Sequence, residues 1–170
     1  MEEKKPLSQY GIGPFYALSV FVMTLAALVL DHFDLLPSVR FKQADILLKF
    51  LSAVFMIEAG ILWTNAVFIM KISQHIRKNE LATKGAYAYV RNPIYSAIML
   101  LMWGVLWADG NLFLLILCPI YHLLMTIMVK CTEEKWLSEL YKEEYTQYCK
   151  RVNRCIPWFP KVQKDMDSGR

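Results

Sequence analysis

The chain has 170 residues, a length that suits one domain. It is 56% hydrophobic and 20% charged, where a soluble domain averages about 45–50% and about 25%, and its apolar residues are gathered into long runs; an ordinary soluble fold is excluded. A net charge of +4, dispersed along the chain, excludes a nucleic-acid-binding face and fits lysines and arginines set beside anionic headgroups.

The charged start, MEEKK, lacks the small-residue cleavage site of a cleavable leader. A first apolar run covers Phe15 to Leu30, extendable back to Gly11, and ends in the polar DHFD turn. A second covers Ile46 to Met70 and exceeds the ~20 residues that cross a bilayer, so tilt is expected. A third, Ile94 to Trp107, is short for a full crossing; it joins a fourth, Leu112 to Val129, through the turn ADGN, as a tight hairpin packed against protein. Five Lys/Arg fall between Lys71 and Arg91 and nine from Lys130 onward, against two between Asp31 and Lys42 and none over 108–111. The positive-inside rule therefore puts both termini and the central loop in the cytosol. Beyond the fourth span, Thr132 to Val152 reads as a helix. Trp136, Leu137, Leu140, Tyr141, Tyr145, Tyr148 and Val152 recur on one face, and the helix ends before Cys155-Ile156-Pro157, where the proline stops it. The expected fold is an all-α membrane bundle of about four spans with a cytosolic amphipathic helix. Residues 1–160 form its single domain, and 161–170 a disordered tail.

The cysteines at 118, 131, 149 and 155 show no C-x-x-C spacing, and His32, His75 and His122 no H-E-x-x-H pattern, so no metal site is expected. Two segments on the expected cytosolic side carry the candidate chemistry. In LATKGAYAYVRNPIYS (81–96), Gly85 permits a turn, Asn92 suits an N-cap and Pro93 the first helical position. The helix N-terminus offers unpaired N–H groups among Tyr87, Tyr89 and Tyr95. In TEEKWLSELYKEEYTQY (132–148), Glu133 and Glu134 open a helix, where carboxylates complement its dipole or turn inward to hold a ligand's ammonium or hydroxyls. Within the second span Glu58, with Asn65 two turns on, is an intramembrane carboxylate, either paired in the bundle or functional.

Together the two segments resemble the isoprenylcysteine carboxyl methyltransferase and phospholipid methyltransferase family of membrane enzymes. That family has L-V-T-S-G-x-Y-x-x-x-R-[HN]-P-x-Y before a span and E-E-x-x-L-x-x-x-[FY]-G-x-x-Y-x-x-Y after the last, with a basic, proline-containing close. Here they read LATKGAYAYVRNPIY, EEKWLSELYKEEYTQY and CKRVNRCIP, over about residues 72–157. The resemblance implies cytosolic segments wrapped around S-adenosylmethionine. It implies cofactor contacts at Leu81, Ala82, Tyr87, Asn92, Pro93, Ile94, Tyr95, Glu133 and Glu134, and no metal. It also implies methyl transfer to a lipidic or small apolar acceptor, with Lys130 as an acceptor-side candidate; Glu58, as an intramembrane carboxylate, is a second such candidate on its own grounds. This chain departs from the isoprenylcysteine branch in four places. Asn92 and Asn79 stand for histidines, Val129 for an arginine with Lys130 displaced beside it, and Lys142 for a glycine, so that the last helix need not bend as it does in relatives. No histidine is placed as a base, and no catalytic residue is singled out. Three rivals remain: amine or phospholipid N-methylation, an NADPH-dependent sterol reductase pattern in a much longer fold, and a scaffold with a vestigial cofactor site.

Overall fold

The computed structural model describes residues 11–70 and 80–161. The expectations for His75, Asn79 and the tail from 162 onward lie outside the described residues. Helix α1 is Gly13–His32. A 3-10 turn, Lys42–Ala44, leads into α2, Asp45–Thr64, which a π-helical turn over Asn65–Ile69 prolongs. A second 3-10 turn, Gly85–Ala88, precedes α3, Pro93–Asp109. A third, Leu112–Ile116, runs into α4, Leu117–Cys131, and α5 is Glu133–Arg151. Among the described residues the only β-type pairing is an isolated parallel bridge between Val90 and Asn153.

Gly13–His32, Lys42–Ile69 and Leu112–Cys131 are long and apolar enough to cross a membrane. Their outward side chains agree. Phe15, Leu18, Phe21 and Leu25 on α1 and Phe50, Ile57 and Ile61 on α2 are exposed, a surface far larger than a protein in water tolerates. The chain is an integral membrane protein. The inward stripe of α1 is narrow: Tyr16, Val20, Thr24, Ala27 and Asp31, spaced by three and four, are its buried residues. Tyr121 of α4 ties that stripe down, its hydroxyl 2.8 Å from Thr24 Oγ1 and its carbonyl accepting from the Tyr16 hydroxyl at 3.3 Å.

α3, with 17 residues, rises about 26 Å, a little short of the about 30 Å hydrocarbon core. It tolerates this because it is the central helix, with Tyr95, Ser96, Met99, Leu100 and Leu106 all buried and its ends finding protein partners. It turns back on α4 around Gly110, yet its most extensive packing is against α2. The two helices approach closely at Gly104: a Cβ there would lie 2.7 Å from Met56 Cγ and 3.1 Å from the Ser52 carbonyl, and Ser52 Oγ donates to the Gly104 carbonyl at 2.7 Å.

A polar knot closes the end of the bundle away from the motif segments. Fully buried Asn111 donates to Asp31 Oδ1 (2.5 Å) and to the Pro37 carbonyl (3.0 Å), and accepts from the Val39 and Phe113 amides. Arg40 bridges Asp31 and Asp109 at 2.5 and 2.9 Å.

Candidate functional site

The other end is where the two motif segments meet. Asn65, in the π-turn that ends α2, accepts the Ala86 amide at 2.7 Å and so seats the 85–88 turn on the bundle. Gly85 is at φ +59°, and a Cβ there would come within 2.6 Å of Asn65 Oδ1, so glycine is required. Ala82 and Tyr87 bury against Ala66, with Met70 and Ile94 beside them. Pro93 is the first residue of α3, as expected. Asn92 precedes it but its side chain does not cap the helix: buried, it donates through Nδ2 to the Arg154 carbonyl at 3.0 Å, because the C-terminal close runs alongside and supplies a better acceptor than the helix's own donors.

That close is threaded along the first motif segment. Arg91 N donates to the Asn153 carbonyl (2.8 Å), Ser96 Oγ to the Cys155 carbonyl (2.5 Å) and Trp158 N to the Tyr89 carbonyl (3.1 Å). The aromatic face of α5 packs against the same segment: Tyr145, Tyr148 and Val152 cluster with Leu81, Leu137, Tyr141 and Cys149, and the Tyr148 hydroxyl donates to the Tyr87 carbonyl at 2.6 Å. The bend that lysine at 142 left open is present in α5. Lys142 sits at φ 48° and ψ −119°, and the helix breaks there. Packing Tyr145 and Tyr148 beneath Leu81 while Glu133 stays at the end of α4 needs that bend, so lysine adopts a conformation that glycine takes without cost.

The adjacent glutamates point to different partners. Glu134 is buried between two guanidinium groups, 3.1 Å from Arg91 and 2.7 Å from Arg154, and thereby links the first segment, α5 and the close. The hydrogen bond to Glu134 pushes the Arg154 pKa up. Glu133 is half-buried and accepts from the Ile12 amide at 3.1 Å and from the Tyr95 hydroxyl, so the start of α1 also reaches the site. The Tyr87 phenol is pushed well above its ordinary pKa by burial first, then by the nearby Tyr148 and Glu133. Burial likewise raises Tyr145 and Tyr148. Leu81, Ala82, Tyr87, Asn92, Pro93, Ile94, Tyr95, Glu133 and Glu134 are thus gathered at one end. Glu58 lies apart on α2, half-buried, and Lys130 is exposed at the end of α4; among the described residues no hydrogen bond or ion pair uses either. Sequence reasoning missed Arg91, Arg154 and Ile12 as partners of the carboxylates. Arg91 lies inside the first motif and Arg154 inside the basic close, but only folding brings both onto Glu134.

Fold and site define a class: a helical integral membrane protein whose polar site is built at one end from two segments that flank a hairpin. The profile of the phospholipid methyltransferase family matches residues 46–144, and the chain belongs to that family. It is 31% identical over 117 residues to a protein-S-isoprenylcysteine O-methyltransferase of Schizosaccharomyces pombe, a match that covers 66% of this chain and 46% of the relative. The chain therefore spans under half the length of that relative. No solved structure matches it.

Proposed function

We propose that this chain transfers a methyl group from S-adenosylmethionine to a lipidic acceptor of the prenylcysteine carboxylate kind, at the cytosolic face of a membrane. The observation that carries this reading is the set Glu133, Tyr95 and Tyr87, gathered by the two motif segments at one end of an apolar bundle. The donor set fits the cofactor. A half-buried carboxylate suits an ammonium or ribose hydroxyls. Tyrosine rings suit adenine and, through cation–π attraction, a sulfonium. Leu81, Ala82, Pro93 and Ile94 supply apolar wall.

When bound, S-adenosylmethionine supplies an electrophilic methyl group on a sulfonium sulfur. The chain's share is alignment: hold the polar ends, orient the acceptor and keep water out. The Tyr87 and Tyr148 phenols, raised in pKa by burial, stay protonated near neutrality and are not bases. That agrees with an acceptor carboxylate, which is ionised already and needs none. The name of the yeast relative supports the same acceptor, and the excess of Lys/Arg around the site supports its cytosolic side. Glu58 and Lys130 belong to the acceptor side in this reading. The family's phospholipid name favours a second acceptor, an aminophospholipid nitrogen. That reaction must remove a proton from the ammonium, for which Glu133 at the site or Glu58 on α2 would have to serve.

Titration of detergent-purified protein with S-adenosylmethionine and, separately, NADPH tests the cofactor. Saturable binding of the first alone is expected, and folded protein that binds none overturns the proposal. A panel of a prenylcysteine and an aminophospholipid, with labelled methyl donor, then assigns the acceptor. Label in the prenylcysteine as a base-labile ester is expected, and label in the lipid amine alone selects the second reading.

A further inference from the structure

The family profile begins at residue 46, so it says nothing of the turn that opens α1. Yet that turn touches the site. Ile12 N–H, unpaired within its own helix because it precedes the first turn, donates to Glu133 Oε1 at 3.1 Å. The Tyr95 hydroxyl donates to the same oxygen. No hydrogen bond among the described residues uses Oε2, which leaves that oxygen for a ligand's donor. Gly11 sits at φ +50°, and a Cβ built there would stand 1.9 Å from Glu133 Oε1, 3.0 Å from Cδ and 3.2 Å from the Tyr95 hydroxyl oxygen. At Gly13 a Cβ would stand 3.2 Å from the Tyr95 ring and 3.4 Å from its hydroxyl oxygen. A side chain at position 11 therefore cannot coexist with the Glu133 carboxylate in its place.

We infer that Gly11, Ile12 and Gly13 form a positioning element of the cofactor site: the turn fixes one oxygen of Glu133 and, through glycine at 11 and 13, the room that Glu133 and Tyr95 occupy. The inference rests on the S-adenosylmethionine reading above. It makes the first helix part of the site rather than only a membrane anchor, and gives the two glycines a role that acts through Glu133 and Tyr95.

A double-mutant cycle tests it by the affinity of purified protein for S-adenosylmethionine, measured calorimetrically. The variants are Gly11→Ala, Glu133→Gln and the pair, with Gly60→Ala of α2, where a Cβ meets nothing within 4 Å, as control. Gly11→Ala is expected to weaken binding about tenfold and Gly60→Ala to leave it unchanged. Adding Gly11→Ala to Glu133→Gln should cost less than about twofold more, because residues that act through one group are not additive. If Gly11→Ala fails to fold, Gly13→Ala with Tyr95→Phe forms the parallel cycle; there the ring must give only by tenths of an ångström, and a loss of about threefold is expected, abolished in the Tyr95→Phe background. Wild-type affinity in the glycine variants, or losses that multiply in full, overturns the inference while leaving the cofactor reading intact. A wild-type protein that binds no S-adenosylmethionine overturns the reading itself, and the inference with it.

Discussion

Replacing Glu134 with alanine removes the anion that Arg91 and Arg154 share. The Arg91 and Glu134 side chains are 8% and 11% exposed, so the deletion leaves a guanidinium that water cannot reach. Removing one partner of a buried pair costs about 3–5 kcal/mol. Arg154 is 30% exposed and rehydrates when released, so its share falls to the about 0–1 kcal/mol of a surface pair. The low end of the buried range, about 3 kcal/mol, is the expected loss. For a chain of this size that lowers the unfolding midpoint by about 6–12 °C. Thermal unfolding in detergent, followed by intrinsic fluorescence with size exclusion as a check on aggregation, reads it directly. Glu134→Gln, which keeps the shape and an acceptor, should fall between, and Glu133→Gln should move the midpoint by no more than about 3 °C. If Glu134→Ala unfolds within about 2 °C of wild type, Glu134 is not the clasp between the two arginines and its place is with the ligand.

Lys142→Gly should stabilise the protein by about 1 kcal/mol, since lysine at φ 48° carries strain that glycine lacks; a rise of the same midpoint checks it, and a fall would mean that the bend is not adopted. Gly104→Val should destabilise by about 1–3 kcal/mol through its clash with Met56 and the Ser52 carbonyl, seen as a lower midpoint and weaker retention in detergent. Stability should also fall in alkali. Tyr87, Tyr145 and Tyr148 have folded pKa values above their ordinary 10.0, and Cys155 above 9.0, with burial the leading cause for each. The native state then keeps protons that the unfolded state releases. The contribution is fully present below those ordinary values and is lost as pH rises through the raised ones. Midpoints measured from pH 7 upward should be flat to about 9 and then decline; a rise above that pH contradicts the assignment.

The spans are legible in the sequence because the bilayer asks for a property that composition carries directly. The third helix shows where that stops. Its short apolar run suggests a partly buried hairpin, and α3 is indeed short and buried, but its main partner is α2, an association fixed at Gly104 by the absence of a side chain. A glycine in an apolar run does not announce which helix it faces. The α5 bend escapes sequence reasoning for a related reason: by local propensity, lysine in place of glycine favours a straight helix, whereas the burial of Tyr145 and Tyr148 against Leu81 overrides it.

The candidate site divides the same way. The residue types that gather there are legible from the two motif segments, because their spacing is local to each helix start. Their division of labour is not. Glu133 and Glu134 are equivalent by propensity and by dipole, and nothing close to them in the chain distinguishes them. What distinguishes them lies 20 to 121 residues away: Arg154 and Arg91 close on Glu134, and Ile12 and Tyr95 close on Glu133. The first glutamate is held by neutral donors with one oxygen uncommitted; the second is neutralised by cations. A ligand's ammonium can compete for the former without unpairing a buried charge, whereas at the latter it would displace an arginine into a place with no other anion among the described residues. On that physical difference the proposed reading assigns the ligand to Glu133, while Glu134 pairs Arg91 of the first motif segment with Arg154 of the close.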